Sequence, residues 1–184
     1  FNEVCANIKQ WKAQNRQELQ VSINTSPSHY FNLESNITQW LNLLLDQKIS
    51  ARSILLEVTE NLLMEANEMV SKKLFQFRQA GVDIALDDFG TGYSSISYLK
   101  RFPTDFIKID RSFVKSMTDV SNDKVLCEAI IVMANKLGIK VVAEGVETQE
   151  QYDILKSMGC DYAQGYFIAK PLSKSDFESF WERH

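Results

Sequence analysis

Val82-Asp83-Ile84-Ala85-Leu86-Asp87-Asp88-Phe89-Gly90 is the stretch on which the fold turns: an apolar, partly β-branched run that stops on two adjacent carboxylates and a glycine. Val82 to Leu86 has the composition of a buried strand. Just before it, Val70, Leu74 and Phe77 recur at helical spacing, and Gly81 closes that stretch as a helix C-cap does. The same unit repeats outward in both directions. Further strands are predicted at Leu19 to Ile23, Ser53 to Val58, Phe106 to Ile109, Ile139 to Ala143 and, more weakly, Tyr162 to Ala163. Helical spacing appears at Ile37, Trp40, Leu41 and Leu44, and again at Val125, Ile130, Met133 and Leu137, with Gly138 as a second C-cap. Ser173 to Trp181, shortly after Pro171, predicts a final helix. Strands alternating with helices predict βαβ units and a parallel sheet. No low-complexity linker or charge block interrupts them, so a single domain is expected.

The polar residues fall in a pattern along these strands. Asn24 follows Val21-Ser22-Ile23, Glu57 ends Ile54-Leu55-Leu56, and Asp87-Asp88 end Ile84-Ala85-Leu86. Lys108 and Asp110 lie in Phe106-Ile107-Lys108-Ile109-Asp110, Glu144 ends Val141-Val142-Ala143, and Gln164 follows Tyr162-Ala163. One such residue is explained by helix capping after a strand. Six strands in succession, each delivering a polar group at its carboxyl end, point instead to the face of a parallel β/α barrel where active sites lie. The fold class expected is therefore α/β, a TIM (β/α)8-type barrel.

Composition narrows the chemistry. The chain has 184 residues, 45% of them hydrophobic and 24% charged, which suits a globular domain with one sizeable core. With 20 Lys+Arg against 24 Asp+Glu, the formal net charge of -4 lacks the basic footprint of a nucleic-acid-polymer binder. No apolar run approaches the roughly 18–20 residues that span a bilayer, and the first residues lack a signal-peptide pattern. A cytoplasmic chain without membrane contact is expected, with any tether supplied by other parts of a parent protein. Cys5, Cys127 and Cys160 are odd in number and widely spaced, so they read as small buried hydrophobes and not as a disulfide framework or zinc knuckle. Only His29 and His184 are present, and His29 lies in the turn-like Ser26-Pro27-Ser28-His29-Tyr30 without a nucleophile signature.

What remains is oxygen chemistry. Asn24, Glu57, Asp87, Asp88, Glu144 and Glu147 would crowd carboxylates around one mouth, where they either raise one another's pKa or recruit cations. All-oxygen ligands suit Mg²⁺, Mn²⁺ or Ca²⁺. Adjacent Asp87 and Asp88 can address two ions about 3.5–4 Å apart, an arrangement used for in-line displacement at phosphorus. Bound cations would also make an acidic pocket attractive to phosphate. Lys108 could hold a water or phosphoryl oxygen there, or form a structural ion pair with one of the acids. Phe89-Gly90-Thr91-Gly92-Tyr93-Ser94-Ser95 matches neither common phosphate-loop pattern and is read as a mobile loop positioning the aspartates. Glu60, one helical turn beyond Glu57, could anchor it through Ser or Thr hydroxyls.

Taken together, Glu57-Val58-Thr59-Glu60, Asp87 to Ser95, Lys108-Ile109-Asp110-Arg111-Ser112-Phe113-Val114, Ala143-Glu144-Gly145-Val146-Glu147-Thr148 and Gln164-Gly165-Tyr166-Phe167 closely resemble the EAL-domain family of bacterial cyclic-di-GMP phosphodiesterases, in order from about Trp11 to Pro171. The resemblance implies a modified TIM barrel, Mg²⁺ or Mn²⁺ dependence with two ions, and hydrolysis of cyclic di-GMP to linear pGpG. Carried over by position, Asn24, Glu57, Asp87 and Asp88 look like metal ligands, with Asp87 bridging the ions. Lys108 and Glu144 would orient the attacking water, Glu144 as general base. Glu147 and Gln164 would support the second metal and the water, and Glu60 would steady the Asp87-to-Ser95 loop.

Two departures stand out. The Glu-Ala-Leu tripeptide for which the family is named is absent, and Asn24-Thr25-Ser26 stands where the family usually has Asn-Leu-Ser. Against the typical 250 residues of a TIM barrel the chain is about 66 short. The expectation is that residues 1–184 form one EAL-type domain missing its N-terminal strand, with low activity and a tendency to form a dimer through unpaired edges. The alternatives are a catalytically silent cyclic-di-GMP receptor, which would not need a water-activating set, and an enolase-like barrel, which adjacent aspartates on one strand fit poorly.

Overall fold

Strand pairing in the computed structural model runs past the ends of the apolar runs at Asn24, Thr59, Asp87, Glu144 and Gln164. The structure describes residues 1–14, 19–31, 37–64, 68–91, 99, 102–117 and 122–183. The chain divides into two compact units, Phe1–Lys108 and Ile109–His184.

The first unit begins with α1 (Asn2–Ala13), followed by β1 (Val21–Asn24), the single turn α2 (Ser28–Phe31), α3 (Ile37–Asp46) and β2 (Ile54–Thr59). Then come α4 (Glu60–Met64), α5 (Glu68–Gln79), β3 (Asp83–Phe89) and β4 (Phe106–Ile109) at its end. The strands lie in the order β1-β2-β3-β4. β1 runs parallel to β2 with Asn24 opposite Glu57, and β2 runs parallel to β3 with Glu57 opposite Ala85 and Thr59 opposite Asp87. β2 from Ile54 to Val58 and all of β4 are buried, as expected of strands covered on both faces. Helix α5 buries Val70, Leu74 and Phe77, the stripe expected from its spacing. Gly81 (φ 92°) ends it, with its N–H donating to the Arg78 carbonyl at 2.9 Å. That left-handed conformation favours glycine.

The second unit contains α6 (Arg111–Lys115), α7 (Asn122–Leu137), β5 (Lys140–Glu144), α8 (Gln149–Ser157), β6 (Tyr162–Gln164) and α9 (Lys174–Arg183). β5 and β6 are parallel, with Val142 opposite Tyr162 and Glu144 opposite Gln164. Helices α6 and α7 lie against β5. Ser173 caps α9 and stands outside it: its Oγ accepts from the Asp176 N–H at 3.3 Å and donates to the Asp176 carboxylate at 2.7 Å.

Two expectations need correction here. The core stripe of α7 is Cys127, Ile131 and Ala134, whereas Val125 and Leu137, two of the residues whose helical spacing marked this helix in the sequence, are 64% and 43% exposed. This helix is apolar on more than one face, so periodicity could not choose among faces, and the smaller Cys127 and Ala134 mark the side that approaches β5. The cysteines also differ among themselves: Cys5 and Cys127 are buried, but Cys160 is partly exposed. Among the described residues no helix is long and apolar enough to cross a membrane.

Candidate active site

Side chains alternate across a strand, so register decides which residues share a face. Asn24 and Glu57 are direct partners on β1 and β2. Asp87 lies two residues beyond Ala85, the partner of Glu57 on β3, and therefore falls on the same face. Three of the four residues of the predicted ligand set, Asn24, Glu57 and Asp87, are thus brought side by side by parallel pairing alone.

From β4, Lys108 joins them. Its Nζ lies 2.8 Å from Oε2 of Glu57 and 3.0 Å from Oδ1 of Asp87. The Glu57 and Lys108 side chains are only 5% and 6% exposed. One ammonium thus faces two carboxylates with little water nearby, a net charge of −1 in which each group depends on the others for its compensation. Oδ1 of Asp87 accepts no conventional hydrogen bond among the described residues, so the ammonium is what meets its charge. Of the two sequence readings of Lys108, the ion pair is the arrangement seen, made to two acids at once.

Asp88 follows on the exposed side with φ 55°. A non-glycine residue in that region is uncommon, and the conformation interrupts the regular alternation of β3 at the second aspartate. Thr91 Oγ1 donates to the Asp88 carbonyl at 2.9 Å and holds the turn. Residues 92–98 of the following loop, with the hydroxyls of Ser94 and Ser95, lie outside the described residues. Glu60 opens α4 with its side chain buried.

Within the second unit, Glu144 and Gln164 end neighbouring strands in register. Glu147 sits three residues beyond Glu144 in an exposed turn. That turn is organised by a residue passed over in the sequence, the buried Gln151. Its Oε1 accepts from the N–H groups of Glu147 at 2.8 Å and Thr148 at 3.1 Å, while its Nε2 donates to the Val114 carbonyl at 3.3 Å. The Gln151 N–H in turn donates to the Thr148 Oγ1 at 3.2 Å, completing a capping box that the spacing Thr148-x-x-Gln151 advertises. The turn closes on β6 through Val146 N–H to the Gln164 carbonyl and Phe167 N–H to the Val146 carbonyl, both 3.0 Å.

Other candidates take plainer roles. Asp110 is the N-cap of α6, with its Oδ1 accepting from the Ser112 N–H at 2.9 Å. Its partial burial pushes the carboxyl pKa up, but the Ser112 hydrogen bonds outweigh that and leave it lowered. Nδ1 of His29 accepts from the Ser26 N–H at 3.1 Å, and its ring meets Trp40 edge-on.

The donors gathered on β1, β2 and β3 are all oxygens, and a carboxylate oxygen of Asp87 is desolvated with lone pairs available. Such a set fits Mg²⁺ or Mn²⁺ and suits neither zinc nor copper.

Known proteins resemble this chain in sequence and fold. Residues 1–171 match the family model described as EAL domain. A cyclic di-GMP phosphodiesterase of Pseudomonas aeruginosa, NbdA, is 37% identical over 180 residues, covering 98% of this chain and 23% of that protein. Among solved structures, the PaMucR phosphodiesterase in complex with c-di-GMP superposes with a TM-score of 0.88 at 33% identity, over 95% of this chain and 70% of that one. BlrP1 of Klebsiella pneumoniae, in a complex with manganese and cyclic di-GMP, gives 0.80 at 32% identity, over 92% and 43%. The chain belongs to the EAL domain family, and its α/β fold is that of the family's TIM-barrel-like structures. It spans about a quarter or less of the length of curated relatives such as NbdA.

Proposed function

We propose that this chain is a metal-dependent phosphodiesterase domain that hydrolyses cyclic di-GMP to linear pGpG. The observation that carries this is the buried Glu57–Lys108–Asp87 cluster on adjacent parallel strands, in a family whose relatives include named cyclic di-GMP phosphodiesterases. Asn24, Glu57, Asp87 and Asp88 would hold the Mg²⁺ or Mn²⁺ ions, as their all-oxygen donor set suits. When bound, the ions offset the charge of the phosphate and lower the pKa of a water to the range where it attacks at neutral pH. Glu144 would act as the general base that takes the proton of the attacking water. Lys108 shares its N–H donors between the two carboxylates and the water or a phosphoryl oxygen. Glu147 and Gln164 support the second ion and the water, and Glu60 steadies the loop after Asp88. The three free thiols suit a reducing, cytoplasmic setting.

The test is hydrolysis of cyclic di-GMP with Mn²⁺, by this chain and by a version extended upstream through a Glu-Ala-Leu strand. Turnover by the extended protein, low turnover by the chain alone, and loss of both in Asp87→Asn are expected. Nucleotide binding without hydrolysis by either would favour a silent receptor.

A second copy of the chain is the partner proposed besides the nucleotide. Val125, Leu126 and Val132 on α7 are 64%, 46% and 50% exposed, an apolar face suited to association. Light scattering at tens of micromolar should report a dimer, and a stable monomer would contradict this.

A further inference from the structure

Thr25 and Tyr30 have no part in the chemistry above, yet they form a buried polar chain that ends on Glu57. Thr25 is 7% exposed and Tyr30 1%. The Thr25 Oγ1 lies 2.7 Å from the Glu57 backbone carbonyl and 2.9 Å from the Tyr30 hydroxyl. The Thr25 N–H donates to the same carbonyl at 3.0 Å. A carbonyl cannot donate, so the Thr25 hydroxyl donates to Glu57 and the Tyr30 hydroxyl donates to Thr25. Burial pushes the Tyr30 phenol up to about 12, so this donor keeps its proton. On the other side of α2, the buried Lys73 donates to the Tyr30 carbonyl at 2.6 Å, tying the single turn to α5.

Valine at 25 with phenylalanine at 30 would fill the same space with no hydroxyl to satisfy, so the buried polar chain is not required for packing. What it adds is direction: two donors from the residue after Asn24 converge on the backbone of Glu57, the register partner of Asn24. We propose that the Tyr30–Thr25 hydroxyl pair is a positioning device that locks Asn24 and Glu57 at the separation a divalent cation requires. Neither residue touches the ion; both act through the strand ends they join. The proposal rests on the metal reading above.

The experiment is Mn²⁺ titration of the full chain, with free Mn²⁺ read by electron paramagnetic resonance and the melting temperature recorded beside it. Thr25→Val and Tyr30→Phe should each weaken Mn²⁺ binding about 10-fold, as loss of outer partners of metal ligands does. The double variant should be no weaker than about twofold beyond either single one, because both break one chain. Thr25→Ser, which keeps the hydroxyl, should restore affinity. Unchanged affinity in both single variants, or fully additive losses, overturns the proposal, and a lowered melting temperature with unchanged affinity counts as the former. Asp87→Asn separates the two readings: if it too leaves Mn²⁺ binding intact, the metal site itself is wrong; if it alone abolishes binding, only the positioning role falls.

Discussion

Lys108 shows how much rests on a single residue. Its ammonium is the counter-charge to Glu57 and Asp87 in a nearly dry setting. Lys108→Met would leave two carboxylates buried together, and removing one member of a buried charge set costs about 3–5 kcal/mol. Urea unfolding in a chelator should show that loss, and Mn²⁺ should recover more of it in the variant than in the unaltered chain. Equal losses with and without Mn²⁺ would contradict a cation site on these carboxylates. The residue types were legible in the sequence because Asp87-Asp88 and Lys108 each interrupt an apolar run. The pairing of one lysine with two acids was not, since it depends on a register that no single strand contains. Thr25 was noticed only as a departure from a familiar tripeptide; its bond to Glu57 spans 32 residues of chain.

At the scale of elements, the strands reach further toward their carboxyl ends than their apolar runs. β1 ends on Asn24, β3 on Phe89 and β5 on Glu144, each beyond the last residue that hydrophobicity identified. The candidate residues Asn24, Glu57, Asp87, Glu144 and Gln164 are thus paired strand residues, which holds them more rigidly than loops would. The same rigidity explains Gly165. A Cβ there would stand 2.2 Å from the Val146 carbonyl oxygen and 2.4 Å from its nitrogen, backbone that cannot yield. Gly165→Ala should break the Val146–Gln164 bond and lower stability by about 3 kcal/mol or more, with hydrolysis falling alongside. Thermal unfolding within a degree of the parent would refute this account of the turn. Helix α7 marks the opposite limit: its several apolar faces left the buried one undetermined until β5 was in place.

For the molecule as a whole, three groups withdrawn from water contribute to the behaviour at high pH. Burial pushes Cys127 up to about 12, Cys160 up to about 11 and Tyr30 up to about 12. Because these folded-state values exceed the unfolded ones, the unfolded chain loses protons first, and stability falls as pH rises through the interval. Denaturation midpoints should be flat near neutrality and decline from about pH 9 toward 12, less steeply in Cys127→Ala. A rise in stability over that interval would contradict the burial of these groups.

The order of elements and the family were both readable from motifs spread along the whole chain, which spans 23% of the length of NbdA. The most direct test of the central claim is anomalous diffraction at the manganese edge from crystals grown with Mn²⁺. We expect density ligated by oxygens of Asn24, Glu57 and Asp87, while density elsewhere, or none with Lys108 still bridging the two carboxylates, would contradict it.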